Sequence, residues 1–174
     1  MIKKILFIFS LSLLMVSCGS SKNVPSSKRP KPKSKIVTAT KKKSSSPTIA
    51  DKIVWTAVSY KGTRYKFGGT TNKGMDCSGL IHVSFKKRNI DLPRTSREMY
   101  TKGYDIPLRK VERGDLLFFK TARKKGKVNH VGLVTSVKNG DIHFIHSTSS
   151  RGVIVTSLFN KYWKKAFIKA KRVL

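Results

Sequence analysis

The sequence predicts an α+β domain, with helices packed on an antiparallel β-sheet, behind an export leader and a basic tether. Three observations carry that prediction. Capping signals and a lone cysteine open short amphipathic segments between residues 48 and 103. From residue 115 onward the texture changes to five runs rich in aromatic and β-branched residues. Helices first and a run of neighbouring strands after is the order of an α+β architecture.

The leader comes first. "MIKKILFIFSLSLLMVSC" has two lysines, an apolar run of about ten residues and small residues before Cys18, which reads as a signal peptide over 1–17, too short for a spanning helix. The ending "LMVSC" resembles the lipobox of bacterial lipoproteins, where the cysteine becomes the lipid-modified first residue; otherwise Cys18 stays free beside an ordinary cleavage site. Acyl chains on Cys18 would anchor the protein to a membrane, each buried methylene adding about 0.8 kcal/mol. Gly19 after it, rather than Asp, fits outer-membrane sorting, so the expected location is the cell envelope, lipid-anchored and facing the periplasm. Residues 19–50 carry nine Lys or Arg, no acid, eight serines and four prolines. They cannot bury enough apolar surface to offset their ordering, so residues 18–47 read as a lipidated cysteine and a disordered basic linker to a domain at 48–174. The net charge of +30 falls to +28 when Lys3 and Lys4 leave with the leader. Such an excess ordinarily suggests nucleic acid. Export argues against that partner, so no nucleic acid is expected and acidic envelope polymers take its place.

Within the domain, Thr48-Ile-Ala-Asp51 resembles a capping box, with Asp in place of Glu. It opens a helix whose Ile53, Val54, Ala57 and Val58 share a face and which Gly62 closes. After a loop containing Gly68-Gly69, a second helix runs from Cys77 or Ser78 to about Arg88, with Leu80, Ile81, Ser84 and Phe85 on one side. Thr95-Ser-Arg-Glu98 caps a third, short helix ending at Gly103. The strands are 115–120, 129–137, 141–147, 152–157 and 166–174.

The chemistry starts from Cys77. With Cys18 acylated, Cys77 has no disulfide partner in an exported chain. At a helix start, unsatisfied N–H groups and the helix dipole favour an anion, and a thiol of pKa about 8.5 can drop to roughly 3.5–7.5 there. The same N–H groups, with Ser78 and Gly79 leaving space, suit an oxyanion. His82 lies roughly 140° round the helix from Cys77 and points elsewhere. His130 and His146 lie on strands joined by "VKNGD". A two-residue Asn139-Gly140 turn would put them on opposite faces. A three-residue Lys138-Asn139-Gly140 loop with a bulge sets His146 across from Gly132, diagonal to His130 on the same face, at about 7–8 Å. Gly132 then leaves room for the pair, and His143 faces away. His130 is thus the candidate base and His146 its orienter, alongside the alternatives of a core cysteine with structural histidines, or a Cys/His/His zinc site without CxxC or HExxH spacing.

The blocks "YKFGGTTNKGMDCSGLIHVSF", "LPRTSREMY", "RGDLLFFK", "NHVGLVTS" and "FIHSTSSRGVIVTS" resemble, in order, those of the NlpC-type cell-wall cysteine peptidases, and "YWKKAFIKAKRVL" resembles the lipoprotein members. The resemblance implies a papain-like fold and a peptidoglycan endopeptidase that cuts peptide stems or crosslinks beside diaminopimelate through a thioester. A monomer with no metal or cofactor is expected. It assigns Cys77 as nucleophile, His130 as base and His146 as third polar residue. Tyr65 falls near the nucleophile or oxyanion; Asp76 and Ser78 fall on substrate polar groups, although Asp76 equally suits a helix N-cap. Arg94 and Ser96 fall in the cleft. One departure is a longer hairpin between the histidines, preceded by the basic loop "KTARKKGKVN". The other function considered is a catalytically inactive, peptidoglycan-binding envelope lipoprotein.

Overall fold

The computed structural model describes residues 46–121 and 128–174. The expected leader, Cys18, nearly all of the basic linker and most of the basic loop before His130 lie outside the described residues.

Helix α1 (Ile49–Ser59) starts at the expected capping box. Thr48 Oγ1 accepts from the Asp51 N–H at 3.1 Å while Asp51 Oδ2 accepts from the Thr48 N–H at 3.0 Å. Ile53, Val54 and Ala57 are buried, but Val58 is 39% exposed. It sits roughly 90° from the centre of their stripe at 3.6 residues per turn, beyond the buried margin. A two-rung hairpin follows, β1 (Thr70–Thr71) against β2 (Gly74–Met75). The sequence shows only a glycine loop here, because two-residue strands carry no periodicity. Helix α2 (Cys77–Lys86) buries Leu80, Ile81, Ser84 and Phe85 as its spacing predicts. His82 turns away from Cys77, its Nδ1 2.8 Å from the Leu92 carbonyl oxygen. Helix α3 (Ser96–Met99) is one turn, closed by a reciprocal Thr95–Glu98 capping box.

The main sheet comprises β3 (Tyr104–Ile106), β4 (Leu116–Phe119), β5 (His130–Lys138), β6 (Asp141–Thr148), β7 (Gly152–Ser157) and, after a short helix α4 (Lys161–Ala166), β8 (Phe167–Arg172). All five expected strand runs are present; Ala166, expected to begin the last, instead closes α4. Every pairing is antiparallel, in the order β3-β8-β4-β5-β6-β7, so the last strand inserts between the first two. Both faces are covered. Leu116, Phe118, Val131, Leu133 and Ile145 pack under α1 and α2. Leu117, Phe119, Val134 and Phe144 pack under Trp163 and Ala166 of α4. The alternation inside "LLFF" thus feeds two cores, one per face.

The β5–β6 hairpin decides where the histidines point. Its turn is the two-residue Asn139-Gly140, with φ of 49° and 80°, and the pairs Lys138↔Asp141, Val137↔Ile142 and Ser136↔His143 follow from it. That corrects the expected three-residue loop. The register then slips by one residue at Thr135, so that Val134 faces Phe144 and Leu133 faces Ile145. Continued along the strands, this puts Gly132 opposite His146, the pairing expected, but produced by a bulge inside the strand. The bulge is held in place: Arg113 donates to the Thr135 carbonyl and to Asp51 Oδ1, the latter at 2.8 Å, and Thr135 Oγ1 donates to the His143 carbonyl at 3.1 Å.

Candidate active site

Cys77 is the first residue of α2, and Asp76 caps that helix. Asp76 Oδ1 accepts from the Gly79 N–H at 2.6 Å, and Oδ2 accepts from the Gly68 N–H at 2.8 Å. Arg94 spans both oxygens, at 3.0 and 2.9 Å, and also donates to Ser78 Oγ at 3.0 Å and the Gly69 carbonyl at 3.3 Å. Burial alone would raise the Asp76 pKa, but Arg94 and the two N–H groups hold it below the usual carboxylate range. The N-cap role expected for Asp76 is therefore realised, and Asp76 and Ser78 also border the smaller groove beside Cys77. Both are buried, and the Asp76 lone pairs are committed to the helix end, the 66–69 loop and Arg94. The space expected at Gly79 is also taken: a Cβ there would lie 2.2 Å from the Gly69 carbonyl oxygen. Gly79 allows the loop bearing Tyr65 to lie against the helix end.

His130 and His146 occupy one face of the sheet. His130 Nε2 lies 2.9 Å from His146 Nδ1, and His146 Nε2 lies 3.1 Å from Thr156 Oγ1. His143, as its parity predicts, is elsewhere, 3.6 Å from Asp141. With Thr156 accepting from His146 Nε2–H, His146 Nδ1 accepts from His130 Nε2–H, leaving His130 Nδ1 with a free lone pair. The pair sits in an aromatic cage: Trp163 stacks on His130 at 5.1 Å and meets His146 edge-on at 4.4 Å, and Phe144 lies 4.6 Å from His146. Gly132 makes room for Phe144 rather than for the imidazoles, since a Cβ there would lie 2.5 Å from Phe144 Cδ2. Burial lowers the His130 pKa to about 4, and burial together with the neighbouring His130 lowers His146 further.

The cage is on the sheet face turned away from α2, whereas Cys77 belongs to the core under the helices. They meet at the start of β5. Cys77 and His130 open onto one cleft of about 500 Å³, lined also by Tyr65, Asn129 and the β6–β7 turn. A second groove of about 290 Å³ also reaches Cys77, but not His130, and takes in Tyr65, Phe67, Asp76, Ser78, Arg94, Ser96 and Asn129. Cys77 is 9% exposed. Burial pushes its thiol pKa up, more than the N–H groups of Val131, Ser78 and Cys77 itself bring it down, and the charge of Asp76 adds to the rise. This reverses the expected depression. The phenol of Tyr65 is raised by burial and then by Cys77 and Asp76.

The structure thus brings Cys77, His130 and Tyr65 to one cleft, with His146 buried behind His130, and sets Asp76, Ser78, Arg94 and Ser96 along the smaller groove. Thr156 and Trp163 were not anticipated. Thr156 was within reach of register reasoning, because His146 pairs with Ile154 and Thr156 is two residues along on the same face. Trp163 gave no such signal, as α4 is a six-residue helix between two expected strands, too short to show a helical period.

The NlpC/P60 family profile matches residues 62–172. The chain is 38% identical over 116 residues to the murein DD-endopeptidase MepS/murein LD-carboxypeptidase of Escherichia coli K12, a match covering 66% of this chain and 58% of that protein. It is likewise 38% identical over 116 residues to the probable endopeptidase NlpC of the same strain, covering 66% and 72%. The chain therefore spans little more than half the length of the first relative. Among solved structures, an NlpC/P60 family protein from Bacillus cereus ATCC 10987 superposes with a TM-score of 0.65 at 30% identity, over 75% of this chain and 41% of that one. With more than half of its residues matched by the family profile and its α+β fold shared with solved members, the chain belongs to the NlpC/P60 family.

Proposed function

We propose that the protein is a peptidoglycan hydrolase, a cysteine endopeptidase that cuts cell-wall peptide stems or crosslinks beside diaminopimelate. One observation carries the reading: a thiol at a helix start and an imidazole with a free Nδ1, oriented by a second imidazole, open onto the same cleft. The relatives named as murein endopeptidases support the substrate class.

In this mechanism Cys77 Sγ attacks the scissile carbonyl carbon as its proton passes to His130 Nδ1. N–H groups at the start of α2 and the Tyr65 hydroxyl face the developing oxyanion. Collapse breaks the C–N bond, and His130 returns the proton to the leaving amine, giving a thioester on Cys77. Water, deprotonated by His130, attacks the thioester carbonyl and releases the acid and the free thiol. His146 and Thr156 keep the His130 tautomer throughout, and Arg94 holds the loop and helix end that frame the oxyanion. The reading extends to a Cys18-acylated protein anchored in the outer membrane, whose basic linker lets the domain reach the wall and meet its carboxylates.

The test is Cys77→Ala with purified peptidoglycan, reading released fragments by mass. Loss of fragments with an unaltered unfolding curve is expected. Cleavage persisting in the variant refutes the mechanism, and a wild-type chain that binds the wall without releasing fragments favours the inactive binding protein.

A further inference from the structure

The cleft shared by Cys77 and His130 is lined by one ordinary charged side chain among its described residues, Arg151, and by no acid. The other arginine beside Cys77 is spent, since both terminal nitrogens of Arg94 donate to Asp76, Ser78 or Gly69. Arg151 differs. It is exposed, and its guanidinium makes no hydrogen bond or ion pair with any described residue.

Its backbone is nevertheless held. The Arg151 N–H donates to Thr148 Oγ1 at 3.1 Å, and that hydroxyl donates to the Gly152 carbonyl at 3.2 Å. Gly152 has φ of 63° and lies so close to the 63–64 segment that a Cβ would be 2.1 Å from the Thr63 carbonyl oxygen. The Val153 N–H donates to that same carbonyl at 2.9 Å. A tight turn clamped at its base therefore presents an uncompensated cation over the cleft, flanked by the hydroxyls of Ser149 and Ser150. Its charge reaches the histidine pair, where it adds to the burial and the His130 interaction that lower His146.

Which side of the scissile bond this cation reads follows from the chemistry, on the hydrolase reading above. The group that protonates the leaving amine must stand on the leaving-group side, and that group is His130. Arg151 shares the His130 cleft and is absent from the smaller groove, which borders Cys77 but not His130. We infer that Arg151, with Ser149 and Ser150, binds a carboxylate on the residue that supplies the leaving amine, and so selects acidic over amidated peptides at that position. A guanidinium fork matches a carboxylate geometrically, and a free one in a cleft is available without first breaking an internal pair. The carboxylate has two possible sources, a chain-terminal α-carboxylate or the side-chain carboxylate of a diamino acid.

The test uses the full chain and three synthetic stem peptides that differ only in the leaving residue: a free terminal acid, a terminal amide, and a terminal amide retaining the diamino acid's side-chain carboxylate. Binding is measured with the Cys77→Ala protein and cleavage with the wild type. A charge-assisted pair predicts an advantage of about 10- to 100-fold for an acid over the plain amide, chiefly in Kd and KM. In Arg151→Gln the advantage should collapse to within about twofold, and Arg151→Lys should restore part of it. Preference for the first peptide identifies a terminal carboxylate, and for the third a side-chain one. Equal binding of all three, or a preference that survives Arg151→Gln, overturns the inference. Selective binding by Cys77→Ala without cleavage by the wild type would keep Arg151's role and refute the hydrolase reading alone.

Discussion

Alkylation of Cys77 as a function of pH tests the electrostatics of the site directly. Papain-like chemistry invites the expectation of a resting thiolate–imidazolium pair. The structure favours a neutral thiol beside a neutral imidazole. His130 is 8% exposed, and its pKa is lowered from 6.5 to about 4 by burial. At about 1.4 kcal/mol per pH unit, protonating it in place costs about 3 kcal/mol more than in water. Burial of the thiol acts in the same direction, raising its pKa above the ordinary thiol value. Iodoacetamide labelling should therefore rise with pH through neutrality and keep rising above the ordinary thiol range, with the thiol overwhelmingly protonated at pH 7. His130 as base must be neutral, so the acid limb of kcat/KM should fall near pH 4 rather than 6.5. A labelling rate that is high and flat between pH 5 and 8 would mean that the ion pair preexists, and would refute this account.

Further perturbations follow from the same contacts. Gly132→Ala drives a Cβ to 2.5 Å from Phe144 Cδ2 and should cost about 1–3 kcal/mol in thermal or urea unfolding, with activity falling as Phe144 presses on His146. Arg94→Met leaves the nearly buried Asp76 carboxylate without its cation; with Arg94 itself about one-third exposed, a loss of about 2 kcal/mol is expected in urea unfolding. Thr156→Val should lower kcat several-fold with KM little changed, and Thr156→Ser should restore it, because the acceptor that fixes the His146 tautomer returns. Acid stability has a definite sign. His130 stays neutral in the fold down to about pH 4 while the unfolded chain takes up a proton near 6.5, so stability should fall as pH drops through that window, by at most about 1.4 kcal/mol per unit for this group. Urea titrations of wild type and His130→Gln should diverge between pH 6.5 and 4; coincident curves would contradict the depressed value.

Much of the fold was legible because it rests on local signals. Both capping boxes involve residues three apart, and the helix faces at Ile53, Val54 and Ala57, and at Leu80, Ile81 and Phe85, follow a 3.6-residue period. The strands announce themselves by composition. The histidine pairing was also anticipated, yet through the wrong device. Asn139-Gly140 is the strongest two-residue turn signal there is, and it does form that turn. What restores the facing of His130 and His146 is the slip at Thr135, fixed by Arg113 and, through it, by Asp51 of α1. Those contacts span 22 and 62 residues along the chain, and no local pattern encodes them. The insertion of β8 between β3 and β4 is equally non-local.

The thiol departs from the expected depression for a related reason. A helix N-terminus favours an anion by roughly 0.3–1 kcal/mol, and up to about 2 kcal/mol in a partly buried setting. That favour is not held in reserve for Cys77. Asp76, the preceding residue, already occupies the positive end, accepting the Gly79 N–H at 2.6 Å, and its charge raises the thiol. The residue that starts α2 and the atom proposed to act as nucleophile compete for one source of positive potential, and the carboxylate holds it. Arg94 eases that competition by pairing with Asp76 across both oxygens. The cation in "LPRTS" thus bears on Cys77 through the cap, and on the proposed hydrolase reading the site would release a proton when substrate arrives rather than store a thiolate beforehand.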